Sequence, residues 1–447
     1  GTYSYKGIYT LTGTGRYEGT NRLGKSRSAR WLPTWNVAGA WNVHEEKFYS
    51  NFTNPVLSHA TLKASYSLTA DRGPAFVTNS QAILNSYSPW RPSASVTESG
   101  MRITELENSE LTYEKKHEFN VGIDLGFLKN RLNLAADYYR RNNFDLIGVI
   151  NTQGAGGTIA KYANIASMKS SGIELTISSK NMRTKDFSWN TDFIFSKTKN
   201  EVTDLKSHAN VLSLISGNGF GREGYPVRGL FSIPFAGLTE DGLPTFINQD
   251  GQKTISSFNF QEYEKLDFLK YEGPTDPTIT GSFGNILTYK NLKLNVFVTY
   301  SFGNVIRLDP VFSNAYSDLD AMPKEFKNRW MKAGDENVTN IPTIVSTRMN
   351  QQYAYLNMAY NAYNYSDVRI ADGGFIRLKE ISLSYDLPAK VINFFRLNKL
   401  QLKLQATNLC LLYADSKLNG QDPEFFRSGG VSTPVPKQFT FTVRLGL

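Results

Sequence analysis

The chain has almost no cysteine and no long apolar run. Cys410 is the single cysteine in 447 residues, which excludes an intrachain disulfide and a thiolate metal cluster. No window approaches the run of about 20 apolar residues that a membrane-spanning helix needs, and this excludes a helical membrane protein. The four histidines are scattered without ligand spacing. We therefore expect neither a metal site nor another cofactor.

Catalytic motifs and basic runs are also missing. The chain contains no nucleophile elbow, no paired-carboxylate motif and no His-Glu-x-x-His sequence, so we do not expect an enzyme. The formal charge is +9, but the lysines and arginines are interspersed with acids and hydroxyl residues. A lumen lining, or contact with anionic lipid head groups, explains such dispersed charge better than nucleic-acid binding does.

Aromatic residues in alternating patterns are abundant. The chain contains 24 Tyr and 28 Phe, residues that favour strands and that membrane barrels place in girdles at both interfaces. Glu114 to Phe127 is a typical segment, with apolar residues on one side, and the turn LKNR joins it to a second strand as a hairpin. The pattern predicts about 14 strands, including Tyr5 to Tyr17 as one strand and VRGLFSIPFAGL and LPTFIN as two others.

The connections between these strands alternate in length. The short ones are HEEKFYS, LKNR, residues 179–186, the turn at 240–242, YKN and PAKVINFFRLN. The others are long and irregular, and bacterial outer-membrane barrels have this arrangement, with short periplasmic turns and long extracellular loops. One strand has a phase conflict, because Ile376 and Leu378 are out of step with Ile381. A β-bulge near Lys379–Glu380 would reconcile the two halves.

The last nine residues, FTFTVRLGL, form an amphipathic strand. Its apolar face consists of Phe439, Phe441, Val443, Leu445 and Leu447. Such an edge is an aggregation hazard unless the strand is paired on both sides, and a closed barrel in lipid provides both the pairing and an apolar environment. We therefore predict that this strand pairs with Lys399 to Thr407 and closes a barrel. The alternative is a half-buried strand that ends a soluble β-sandwich.

Aromatic residues in two long loops are candidate contacts for a partner or a substrate. They are Trp90, Tyr353, Tyr355, Tyr360, Tyr363 and Tyr365. A tyrosine ring offers a flat apolar face with a polar tip, which suits stacking on a sugar, whereas packing of the loop on a barrel rim would need no ligand.

Four basic residues, Arg140, Arg141, Lys197 and Lys199, are predicted near the outer ends of strands. Contact with lipopolysaccharide phosphates, a lumen lining and a solvated rim are the three interpretations of these charges.

Several stretches, taken together, resemble the C-terminal part of SusC-like (SusC/RagA) TonB-dependent transporters, the outer-membrane barrels of Bacteroidota. ENSELTYEKKHEFNVGIDLGFLKNRLNLAADYYRRNNFDLI is similar to the family's hairpin around an N-P-x-L-x-W-E segment. NIASMKSSGIELTIS is similar to its N-x-G-x-M-x-N-x-G-I-E strand. DGGFIRLKEISLSYDLP and LKLQATNLCLL resemble the two strands before the last long loop, and NGQDPE resembles that loop.

The resemblance implies an all-β fold in which residues 1–447 are the C-terminal part of a large antiparallel transmembrane β-barrel with long extracellular loops. The N-terminal plug and the first barrel strands would lie upstream of Gly1, together with a signal peptide. The implied function is TonB-dependent import of a large nutrient, a glycan or a peptide, across the cell outer membrane.

The implied partners are a SusD-like surface lipoprotein, TonB through the missing N-terminal region, and outer-membrane lipid and lipopolysaccharide. Two alternatives remain open. The barrel could be a structural subunit of a larger outer-membrane assembly, or the chain could be a soluble carbohydrate-binding sandwich or enzyme with a compact apolar core.

Overall fold

A computed structural model describes residues 1–51, 56–74, 77, 81–89, 98–154, 158–310, 324–353, 355–394, 397–426 and 434–446. The strands are β1 Thr2–Tyr5, β2 Tyr9–Gly19, β3 Trp31–Asn42, β4 Leu57–Asp71, β5 Ile83–Tyr87, β6 Gly100–Glu105, β7 Glu114–Phe127, β8 Leu132–Asn151, β9 Ala160–Arg183, β10 Phe187–Leu205, β11 Gly229–Ser232, β12 Phe235–Leu238, β13 Pro244–Ile247, β14 Lys253–Thr254, β15 Lys270–Pro274, β16 Ile279–Tyr289, β17 Leu292–Phe302, β18 Val305–Arg307, β19 Ile370–Asp372, β20 Phe375–Asp386, β21 Lys399–Ala414 and β22 Gln438–Gly446.

The helices are short. The α-helices are α1 Arg27–Arg30, α2 Lys47–Asn51, α3 Val211–Ile215, α4 Thr347–Gln352, α5 Leu356–Asn364 and α6 Ala389–Phe394. The 3₁₀-helices are Val43–Glu45, Lys324–Asn328, Asp335–Asn337, Asp367–Arg369 and Ser416–Leu418. Across the described ranges, none of these helices has the length and the apolar character needed to cross a bilayer.

Thirteen strands form one sheet in the order β1-β2-β3-β4-β7-β8-β9-β10-β16-β17-β20-β21-β22. Neighbouring strands in this order also follow one another along the chain, apart from the short strands inside the long connections. Their pairing is antiparallel, as between β7 and β8 and between β21 and β22. The prediction of an all-β, antiparallel fold is confirmed.

Two of the predicted strands do not join this sheet. VRGLFSIPFAGL and LPTFIN instead supply β11, which pairs with β15, and β12 and β13, which form a small sheet with β14. The turn at 240–242 therefore lies inside the long connection between β10 and β16 and is not a short turn of the large sheet. All four residues of β11 are buried, and an apolar run of that length does not distinguish a strand inside a folded loop from a strand of the large sheet.

The segment Tyr5 to Tyr17, predicted as one strand, is divided into β1 and β2. Lys6 and Gly7 have φ values of 53° and 70°, and left-handed residues of this kind favour tight hairpin turns. Tyr5 therefore pairs with Tyr9 across the turn. The alternating pattern continues through the turn, which is why the sequence reads as one strand.

The chain separates into two compact units, and each has short connections at one end of its strands and long ones at the other. The first unit is Gly1–Thr176, Thr198–His208 and Glu223–Tyr225, and the second is Ile177–Lys197, Ala209–Arg222 and Pro226–Leu447. In the first, the tight turns 6–8 and 128–131 lie at one end together with the 14-residue connection 43–56, and the 42-residue connection 72–113 lies at the other end together with 20–30. In the second, the short connections are 184–186, 290–291 and 387–398, and the long ones include 303–374 and 415–437.

Two register predictions in the last three strands are confirmed. The register shifts between Leu378 and Glu380 where β20 meets β21, which is the β-bulge expected at Lys379–Glu380. The terminal strand β22 pairs with β21 from Lys399 opposite Gly446 to Thr407 opposite Gln438.

The long connections of the second unit are folded, although the sequence suggested irregular loops. β18 and β19 pair at the two ends of the connection between β17 and β20. One apolar cluster contains Leu243, Leu356, Ala359 and Tyr360, and another contains Ile306, Leu308, Ala371 and Leu418. Two long connections and the segment after β21 thus contribute residues to common apolar clusters.

Candidate functional site

The two faces of the large sheet carry different kinds of side chain, as rows of residues paired across neighbouring strands show. In the second unit, one row of paired residues is Trp189, Leu287, Leu294, Leu383, Leu404 and Phe441. The adjacent row is Ser188, Thr288, Lys293, Ser384, Lys403 and Thr442. Because successive side chains point to opposite faces, one face is apolar and the other polar. The apolar face is also open, since 59% of Leu404 and 62% of Phe441 is exposed.

The polar face carries paired charges in both units. In the second unit, Asn295 donates to Glu380 Oε1 at 3.2 Å, and Lys403 Nζ lies 3.9 Å from the same oxygen. In the first unit, Arg141 Nε donates to Glu118 Oε2 at 2.9 Å. Lys403, on the polar face, therefore has its cation beside a carboxylate and away from the apolar face.

Aromatic residues mark both ends of the apolar face in the first unit. Tyr9 and Trp41 stack near the short connections with ring centroids 6.3 Å apart. Tyr17 stacks on Trp31 near the long connections at 5.2 Å. Tyr9 and Tyr17 are eight residues apart, or about 26 Å at about 3.3 Å per residue. At a strand tilt of about 40° this length spans about 20 Å of barrel height, which is of the order of the roughly 25 Å apolar band between the aromatic girdles of outer-membrane barrels.

The apolar side of the terminal strand is exposed along its length. Phe439 is 77% exposed and Leu445 is 58% exposed, and Phe441 and Val443 belong to the same face. Leu447 lies outside the described residues. Within the described chain, β22 has β21 as its single neighbour and β1 has β2, so both outer strands have an edge available for pairing.

The tyrosines predicted as a stacking platform are dispersed by the fold. Tyr360 and Tyr363 are buried, Tyr360 donates to the Thr343 carbonyl at 2.7 Å, and burial raises the pKa of Tyr363 to about 12. The platform interpretation is therefore wrong for these two rings. The spacing Leu356, Ala359, Tyr360 and Tyr363 is that of an amphipathic helix, which could have indicated their burial.

The remaining candidates differ in exposure. Tyr355 is 71% exposed, whereas Tyr353 is half-buried and donates to Asp241 Oδ2 at 3.0 Å, a contact that raises the pKa of Tyr353. Tyr365 is half-buried, with the Arg307 guanidinium 5.6 Å from its ring centre. Trp90 lies outside the described residues. Tyr355 thus presents the most exposed ring of the five tyrosines.

Two other exposed apolar side chains in these connections could not be predicted from the sequence. Val338 is 83% exposed and Met331 is 63% exposed. Val338 lies between Asn337 and Thr339, and Met331 follows Trp330; no periodicity sets either residue apart.

Arg307 joins several segments of the folded connections. Sequence reasoning did not predict this role. Its guanidinium donates to the carbonyls of Phe231 at 2.7 Å, Ile215 at 3.0 Å, Ser366 at 3.1 Å and Asn364 at 3.5 Å, and to Ser232 Oγ at 3.1 Å. Burial lowers the pKa of Arg307 to about 10, so the group remains a cation at neutral pH. One arginine therefore binds the 211–215, 229–232 and 364–366 segments to β18.

A second buried arginine links two of the stretches that carried the family resemblance. Arg377, in DGGFIRLKEISLSYDLP, donates to both carboxylate oxygens of Asp422, in NGQDPE, at 2.5 and 2.6 Å. Both side chains are buried, and such two-point pairing fixes the orientation of the partners. The pair attaches the last long connection to β20.

A sequence model of the family described as TonB dependent receptor-like, beta-barrel matches residues 1–409. The chain belongs to this family. Its apolar face is therefore the outer face of an outer-membrane barrel, and the soluble-sandwich alternative is excluded.

Known relatives agree with this assignment. TonB-dependent receptor P3 of Formosa agariphila is 24% identical over 445 residues, which cover 94% of this chain and 41% of the relative. TonB-dependent receptor SusC of Bacteroides thetaiotaomicron is 25% identical over 478 residues, which cover 100% of this chain and 42% of the relative. The SusC-like assignment is confirmed, and the chain spans about two fifths of the length of these relatives.

A solved structure described as the RagAB peptide transporter has the same fold. Its TM-score is 0.78 at 23% identity, and the match covers 99% of this chain and 46% of that chain. The likeness extends over the full described sheet, which agrees with a barrel portion of this family.

A charge placed on the outer face is expected to destabilise the barrel. In the full-length protein, Leu404→Lys should lower the free energy of unfolding in lipid by about 2–4 kcal/mol, the cost of a lysine near mid-bilayer. Gln405→Lys, one residue along on the polar face, is the matched control and should change it by less than about 1 kcal/mol. The measurement is denaturant unfolding in lipid vesicles, and equal losses for both variants would contradict the assignment of the faces.

Proposed function

We propose that the complete protein imports a large nutrient, a peptide or a glycan, across the outer membrane in a TonB-dependent, non-enzymatic process together with a SusD-like lipoprotein. The observation that supports this best is a barrel wall with a polar inner face and long connections that fold at one end of its strands. Such a wall suits passage of a polar solute, and the folded connections offer a surface to a partner. The RagAB structure is described as a peptide transporter, which supports the peptide class.

This chain would contribute lumen wall and extracellular loops. TonB would act through a region that these residues do not contain. Tyr355, Val338 and Met331 are the exposed apolar side chains that we assign to lipoprotein contact, because aromatic residues and Met are enriched at interface cores. Outer-membrane lipid and lipopolysaccharide would surround the apolar face.

The test uses the full-length protein in its native outer membrane. We expect a SusD-like lipoprotein to co-purify with it, and Tyr355→Glu to reduce the recovered lipoprotein while leaving the barrel folded. Tyr263→Glu is the control, since Tyr263 is 60% exposed but is not assigned to the contact.

Uptake of labelled peptides and oligosaccharides is the second readout. It should require the full-length protein and should stop when the inner-membrane proton gradient is removed. Retained assembly with other outer-membrane proteins, without any gradient-dependent uptake, would instead establish the structural-subunit alternative.

A further inference from the structure

A basic cavity lies among β8, β9 and β10 in the first unit. Its volume is about 290 Å³, and its lining is Tyr138, Arg140, Lys169, Ser170, Ser171, Lys199, Asn200 and Glu201. The lining thus contains three cations and a single carboxylate.

That carboxylate is already engaged. Lys169 Nζ lies 2.8 Å from Glu201 Oε1. Within the described residues, Arg140 and Lys199 have no hydrogen bond or ion pair with an acid. The cavity therefore has two cations in excess, and an anion with several acceptor oxygens would match them, because arginine and lysine bind phosphate through charge-assisted hydrogen bonds.

The cavity opens on the apolar side of the barrel. Arg140 lies nine residues beyond the short connection 128–131, just as Tyr17 of the outer aromatic pair lies nine residues beyond the short connection 6–8. Arg140 pairs in register with Phe119, which in turn pairs with Tyr66. The Tyr66 ring lies 5.4 Å from Trp35. Tyr138 is 45% exposed on the same face, while the intervening Tyr139 is 5% exposed on the other. The excess charge therefore lies where the outer leaflet's head groups meet the hydrocarbon.

We propose that Arg140 and Lys199 form a binding site for a lipopolysaccharide phosphate, with Ser171 as an additional hydrogen-bond donor. This inference rests on the proposed membrane function. Lipopolysaccharide fits because its phosphates lie next to acyl chains, and the cavity lies next to an exposed apolar surface. A basic pocket at a membrane interface binds anionic head groups in this way.

The test measures lipid A bound to the purified full-length barrel by native mass spectrometry. We expect Arg140→Gln/Lys199→Gln to weaken binding of phosphorylated lipid A by about fivefold for each charge removed. The same lipid A treated with phosphatase should bind wild type and the double variant equally. Lys185→Gln/Lys390→Gln, which removes two charges at the short-connection end, is the matched control and should retain wild-type binding.

Three results would overturn the proposal. They are wild-type affinity of the double variant for phosphorylated lipid A, an equal loss in the control, and complete displacement of the lipid by millimolar inorganic phosphate, which would indicate a site for a soluble anion. Failure of the proposed function is separately recognisable, because the wild-type protein would then show no gradient-dependent uptake, whether or not it binds phosphorylated lipid A.

Discussion

Arg307→Met is expected to unfold the long connections of the second unit while the barrel strands remain assembled. The substitution leaves four carbonyls and one hydroxyl without their charged donor. Each buried acceptor left unsatisfied costs about 1–3 kcal/mol, so the loss of several such hydrogen bonds amounts to several kcal/mol. That cost is comparable with the local stability of a small folded region.

The measurement is hydrogen exchange of the full-length protein, with heat-modifiable migration on gels as the readout for the barrel. Backbone amides of α5 and of β18 should lose protection, whereas those of β16 and β17 should keep it. Arg307→Lys should give an intermediate result, because lysine keeps the charge but not the planar fork that reaches several carbonyls.

Arg228→Met is the matched control in the same connections. Arg228 pairs with Asp276 at 2.9 Å, and both side chains are largely exposed, so its loss should cost about 1 kcal/mol or less. Equal loss of protection in the two variants would show that Arg307 has no special role in holding these segments together.

The strands of the large sheet could be predicted from the sequence because their environment is periodic. Residues 119–127 of β7, residues 399–405 of β21 and the whole of β22 alternate between an apolar and a polar face, and a single phase error at Lys379 was enough to locate a β-bulge. Alternation of this kind is a local property, and it persists wherever one face contacts lipid and the other a polar lumen.

The folded connections could not be predicted because their order comes from contacts distant in sequence. Arg307 binds carbonyls at 215, 231, 364 and 366, and no local pattern encodes that set. The buried strand β11 is a short apolar run, which the sequence does not distinguish from part of a barrel strand. No periodic pattern marks the exposed Val338 and Met331. The burial of Tyr360 and Tyr363, in contrast, could have been predicted from their helical spacing, but their aromatic character favoured a binding role instead.

The terminal strand is where a single substitution should have the largest effect on assembly. β22 pairs with β21 on one side, and its other edge is available within the described chain. In lipid, each unpaired backbone group costs several kcal/mol, so that edge must meet another strand. The strand order β1 to β22 does not supply one, and we propose that residues beyond this chain complete the barrel and that β22 closes it.

Val443→Pro in the full-length protein is expected to abolish the heat-modifiable, membrane-inserted form. Val443 lies opposite Leu402 in the middle of β22, and proline removes an N–H group that the ladder or the closing strand needs. Val435→Pro is the matched control, because Val435 lies outside the strands between Pro434 and Pro436 and should assemble normally. Residues 1–447 expressed alone should likewise give no inserted barrel. If Val443→Pro inserted as well as Val435→Pro, or if the 1–447 chain alone formed a stable closed barrel, β22 would not be the closing strand of a larger barrel.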